Sequence, residues 1–145
     1  MTYHAKKASV SIGTSILVFF FLYMGMQGAA NAESDTLPSL WGAFFIKLLV
    51  AEVVANILIM MIFNLVNKLA TNESSPSFAD ERDRGIELKA IRNFCFVFCA
   101  GFFAAMAALM FHQPLSAMFH ILAFDFFIAG VVLNLSFIFY YQRGF

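Results

Sequence analysis

Four long apolar runs, broken by two short polar connections and one charged loop, decide what this chain folds into. They cover residues 8–26, 40–66, 91–111 and 115–141. A hydrocarbon core about 30 Å thick needs roughly 20 helical residues to cross it, and each run is about that long or longer. Lipid offers no partner to a free N–H or C=O, so a spanning run must satisfy its backbone internally, as a helix does. Composition agrees. Of 145 residues, 61% are hydrophobic and 12% are charged, Phe occurs 20 times, and the mean hydropathy is +0.80. A soluble domain of this size cannot hide so much apolar side chain, so lipid must cover much of it. The expected fold is all-α: one membrane domain over 1–145, a transmembrane four-helix bundle.

The connections set its topology. Gln27 to Ser39 joins the first two runs, and His112-Gln113-Pro114 makes a tight turn between the last two. Short links force sequence neighbours to lie antiparallel, which predicts an up-down arrangement. Lys6 and Lys7 precede the first run. Lys68, Arg82, Arg84, Lys89 and Arg92 lie between the second and third or just inside the third, and Arg143 follows the fourth. The other two connections hold no Lys or Arg, and the first carries Glu33 and Asp35. The positive-inside rule then puts both termini and the loop 67–90 in the cytoplasm. Tyr23 and Trp41 are expected at the outer interface, and Tyr3, Tyr140 and Tyr141 at the inner one. Lys6-Lys7, an apolar run and Ala30-Asn31-Ala32 also resemble a cleavable signal peptide. The run from Val10 to Met26 is long for a signal core, so an uncleaved first helix is expected. The orientation of the other helices is the same either way.

Lipid tails are as apolar as Leu, so helices associate in a bilayer through close approach at small residues. The third run offers Ala100, Ala104 and Ala108, with Gly101 and Ala105 beside them, a seam without charged or amide side chains. Ser9 with Gly13, Ser11 with Ser15, and Ala51 with Ala55 repeat the spacing elsewhere. Such seams serve packing within the bundle and a homo-oligomer interface equally well.

Against this apolar background two acids stand out, Glu52 and Asp125. At about 1.5 Å per residue, Glu52 lies roughly 16 Å below Trp41 and Asp125 roughly 15 Å below Leu115, so both sit near mid-bilayer. Lys47 and His120 share a shallower level, roughly 8–9 Å in. At about 100° per residue, Glu52 and Asn56 fall on one face, Lys47 points about 140° away, and Asp125 is turned toward Ser136. An ionised side chain at this depth costs several kcal/mol unless it finds a partner or water. Two arrangements meet that demand. In one, Lys47 neutralises one carboxylate while the other is protonated and hydrogen-bonded to Asn56. In the other, Glu52 and Asp125 line a water-filled proton or cation path, with Asn56 below and His120 near its outer mouth.

The loop before the third run contains Ser77 to Ala90. Asp80, Glu81 and Asp83 come early with Arg82 among them, and Arg84, Glu87 and Lys89 follow, an order broadly suited to a short surface helix leading into the third run and bent at Gly85. Phe78, Ile86 and Leu88 are expected to dip into the membrane interface. The run Asp80-Glu81-Arg82-Asp83, then Ile86-Glu87 and Lys89-Ala90, resembles a loop of small bacterial multi-pass membrane proteins. The resemblance covers about a dozen residues; beyond them it rests on helix layout. It implies a bacterial inner-membrane location and brings no activity with it. The loop 77–90 reads either as a solvated turn that fixes topology or as a docking face for a cytoplasmic or membrane partner.

Several function classes are excluded. Nine basic and nine acidic residues with no basic block argue against nucleic-acid binding. No phosphate loop, dinucleotide fingerprint or nucleophile elbow is present, so neither an enzyme nor a cofactor is expected. Cys95 and Cys99 are one helical turn apart and read as small packing residues. His112 and His120 flank a Pro turn and do not share a helix face, and the loop acids match no calcium-loop spacing, so no metal site is expected. The sequence therefore supports a small membrane protein that acts as a structural or regulatory binding subunit. The competing reading is a proton or cation conductor built around Glu52 and Asp125.

Overall fold

The computed structural model describes residues 3–26, 36–71 and 81–143, and the statements below concern those residues. They form four helices, α1 (Tyr3–Met26), α2 (Leu37–Thr71), α3 (Glu81–Met110) and α4 (Leu115–Arg143). All four are long and apolar enough to cross a membrane.

Local chemistry explains the helix ends. Pro38 lies in the first turn of α2, where its missing N–H removes no intrahelical bond. The Thr36 carbonyl there accepts from Leu40 N at 3.2 Å and from Ser39 Oγ at 2.8 Å. Glu81 and Asp83 stand in the first turn of α3, at the positive end of its dipole. The far end of α3 closes with the hydrogen-bond pattern of a Schellman motif: Gln113 N donates to Ala108 O and His112 N to Leu109 O. His112 takes the left-handed conformation that such a cap requires, with φ at 56°. Pro114 follows and α4 begins at once.

Two expectations change. The segment from Glu81 is not a separate surface helix; it is continuous with the third span, so α3 starts ten residues before position 91. Ile86 is also not at a lipid interface. It is buried against the rest of the bundle with Ala90, one turn further on, while Leu88 is exposed. Phe78, Asp80, residues 27–35 and the signal-like Ala30-Asn31-Ala32 lie outside the described residues.

The helices run up and down. Ser11 meets Asn56, Ser15 meets Glu52, and Phe19 meets Phe44, so α1 and α2 are antiparallel. Phe19 against Phe127 and Tyr23 against His120 give the same relation for α1 and α4. Asp83 with Tyr141 and Asn93 with Ser136 give it for α3 and α4. In cross-section the order is α2, α1, α4, α3. Helix α4 is the centre, with α3 on one flank and α1 on the other. Helices α2 and α4 meet sparsely, around Trp41, and α2 and α3 do not pack along their length.

An aromatic cluster fills the half of the bundle nearer the α3–α4 turn. Phe19, Trp41, Phe44, Leu48 and Ala123 are buried at its centre. Phe19 stacks on Phe127 at 4.5 Å and Tyr23 at 5.6 Å, and takes Phe124 edge-on at 5.4 Å. Trp41 stacks on Phe119 at 5.7 Å. Trp41, placed by the sequence at the outer-interface level, is 3% exposed and packs between α2 and α4 instead of presenting its ring outward. Outside this core the helices present Leu17, Phe21, Met61, Leu69, Phe96 and Phe103 outward, a surface that only lipid covers at low cost.

Candidate functional site

The polar residues of α1 and α2 meet in two matched rungs. Ser11 and Ser15 are one turn apart on α1; Asn56 and Glu52 are one turn apart on α2. Antiparallel packing puts each Ser opposite one of them. Ser15 Oγ donates to Glu52 Oε2 at 2.9 Å, and Ser11 Oγ donates to Asn56 Oδ1 at 3.1 Å. Asn56 Nδ2 returns to its own helix and donates to the Glu52 carbonyl at 2.9 Å. Both serines are buried and Glu52 is half-buried. Small hydroxyl side chains let the two backbones approach and also satisfy the polar atoms of the partner helix.

These rungs form one wall of a cavity of about 410 Å³. Its opposite wall is α4, with Phe126, Phe127, Gly130, Asn134 and Phe137, and Phe94 of α3 borders it. The cavity exists because α2 touches α4 only near Trp41. Below that level the two helices part, and no α2–α3 seam closes the gap. Phe19 and Leu48 of the aromatic cluster seal the cavity toward the α3–α4 turn. Lys7 and Tyr141 stand at the other end, where the chain termini are. Glu52 is the one acid and Lys7 the one base among its described lining residues.

Asp125 is not part of this site. It faces away from α2, into the α3–α4 seam, and lies directly against Gly101. It is 6% exposed, and its Oδ2 is buried with no hydrogen-bond partner among the described residues. Ser136, on the same side of α4, accepts from Asn93 at 3.0 Å. The shared depth of Glu52 and Asp125 therefore does not bring them to one place: one is read by α1, the other by α3. Nor does Lys47 pair with Asp125, because Lys47 is exposed on the surface of α2. His120 is exposed at the edge of the aromatic cluster, edge-on to Trp41 at 4.7 Å, with Nδ1 held 2.7 Å from the Ser116 carbonyl. That bond requires the proton on Nδ1. Of the five polar residues singled out in the membrane interior, only Glu52 and Asn56 act together.

The packing seam of α3 divides. Ala105 is fully buried, Gly101 and Ala108 are half-buried, and Ala100 and Ala104 are exposed. At the start of α3, Glu81, Arg84 and Glu87 are exposed, whereas Asp83 accepts from the Tyr141 hydroxyl at 3.1 Å. The side chain of Arg82 lies outside the described residues. Cys95 and Cys99 are free and exposed. Among the described residues no three His, Cys, Asp or Glu side chains converge as metal ligands would.

Sequence reasoning missed the role of Ser11 and Ser15, treating them as small packing residues alone. The available signal was their spacing, one turn apart, matching Glu52 and Asn56 on the next helix.

Fold and site together define a multi-pass membrane protein with a half-open polar cavity inside a four-helix bundle. No family model, no curated protein and no solved structure matches the chain.

Proposed function

We propose that this protein is a small inner-membrane subunit that works by binding, with the cavity beside Glu52 as its ligand site. The observation that carries this reading is the cavity's form. Its volume lies in the range of small-molecule sites, and it joins an apolar wall to a few convergent polar groups. One end is stoppered by aromatic side chains, which suits holding a ligand and opposes passage across the bilayer. The separation of Glu52 from Asp125 counts against a conductor built on both carboxyl groups. The exposed Glu81, Arg84 and Glu87 at the start of α3 then serve as the face through which occupancy is passed to a partner. The distribution of Lys and Arg supports a cytoplasmic position for that face and for the cavity mouth.

Native mass spectrometry of protein drawn gently from its own membranes tests the reading. A side chain built outward from Gly130 meets nothing within 4 Å, so Gly130→Phe grows into the cavity. The wild type is expected to carry a small-molecule adduct that Gly130→Phe lacks. An adduct-free wild type, or proton flux in liposomes that falls in Glu52→Gln, would overturn the proposal.

A further inference from the structure

The geometry points to the chemical class of the ligand: we infer that the cavity takes a hydrophobic organic cation, an ammonium or similar group on an apolar body. This rests on the cavity being a binding site and adds the sign of the charge it selects.

The inference starts from what faces the cavity. Glu52 is the one acid in its described wall, and a single hydroxyl, that of Ser15, donates to its carboxylate. The amide of Asn56 is turned to the Glu52 backbone and its oxygen is taken by Ser11, so it gives the carboxylate no proton. Among the described lining residues, Lys7 is the one of opposite charge. It stands eight residues before Ser15, roughly 12 Å along α1. Its long stem lets the ammonium reach water at the cavity mouth. The deep part of the cavity therefore holds a carboxyl group with no described cation beside it, and ionising it in that medium costs several kcal/mol unless a bound cation offsets the charge.

The remaining walls suit the same ligand. Phe94, Phe126, Phe127 and Phe137 line the side facing the rungs. Ring faces carry negative quadrupole potential and attract cations, while their area binds an apolar body. An anion would meet Glu52 with no cation beside it at that depth. A neutral apolar molecule would fill the space and gain nothing from Glu52, whereas a cation pairs with its ionised form.

Two probes of nearly equal size and opposite charge test the idea directly: tetraphenylphosphonium and tetraphenylborate. Full-length protein in phosphatidylglycerol nanodiscs is compared with protein-free discs. Saturable phosphonium binding is expected, without competition from borate. Glu52→Gln is expected to weaken it by about tenfold or more, Gly130→Phe to abolish it, and Asp125→Asn to leave it unchanged. Competition by added phosphatidylethanolamine would mark a lipid headgroup as the natural ammonium; competition only by soluble lipophilic amines would mark a free one. Borate binding as strong as phosphonium in the wild type overturns the charge selection without any variant, and so does an unchanged affinity in a folded Glu52→Gln protein. Borate binding that Gly130→Phe blocks would leave the cavity a binding site while refuting its preference for cations. Failure of both probes to bind would refute both readings.

Discussion

Phe19 shows how one side chain organises the apolar half of this molecule. It is fully buried and touches rings from α1, α2 and α4. Removing a buried aromatic ring loses its contacts and leaves a cavity, at about 3–5 kcal/mol. Phe19→Ala is therefore expected to lower the unfolding free energy in mixed-micelle denaturation by about that amount. Phe103→Ala, at a lipid-facing position, is the matched control and is expected to change little. A second residue-scale outcome concerns His112, whose positive φ costs a side-chain-bearing residue what glycine does not lose. In the same assay His112→Gly should raise stability by up to about 1 kcal/mol; a fall would show that the ring makes compensating contacts. At this scale the sequence was informative about which residues matter and silent about their neighbours. Glu52 and Asn56 were recognisable as one helix face from their spacing. Asp125 and Ser136 were recognisable as another. Depth along a helix can be counted from a sequence, but the helix each face meets depends on how four cylinders are arranged around one another, and no local pattern encodes that.

Between elements, the α3–α4 seam is where packing and polarity meet most tightly. Gly101 has no side chain because the Asp125 carboxylate occupies the space a Cβ would need. Asp125 is itself nearly enclosed, so it has little room to move aside. Gly101→Ala is expected to destabilise the protein by about 1–3 kcal/mol, as overpacking does. Shortening the neighbour in Gly101→Ala/Asp125→Ala should recover most of that loss, since residues in contact give non-additive effects. A double variant no more stable than Gly101→Ala would count against the clash. The small-residue seam was visible in the sequence of α3, yet only three of its five residues, Gly101, Ala105 and Ala108, turn inward in the bundle. Which of two adjacent small-residue rows meets α4 is a rotation of about 100°, less than a composition pattern resolves.

For the whole molecule, the spans, their order and their antiparallel course followed from hydropathy and short connections, because lipid leaves a chain so few alternatives. The helix order α2, α1, α4, α3 and the cavity it creates did not. Membrane orientation is open to a direct check. With Cys95 and Cys99 replaced by Ser, single cysteines at Glu81, Gln142 and Gln113 report each end, since all three positions are exposed. Membrane-impermeant maleimide on intact cells should label Gln113 alone, and labelling of the other two should need permeabilised cells. The opposite pattern would invert the protein and move the cavity mouth to the outside.

The gap between α2 and α3 carries one last consequence. On the binding role proposed above, a guest need not pass through water or force helices apart to arrive, because the open side between α2 and α3 offers a sideways path from the acyl chains. Molecules with greasy bodies accumulate in the bilayer far beyond their aqueous level. A modest intrinsic grip would then suffice for high occupancy, and apparent affinity would track how strongly a compound dissolves in fat as much as how well it fits.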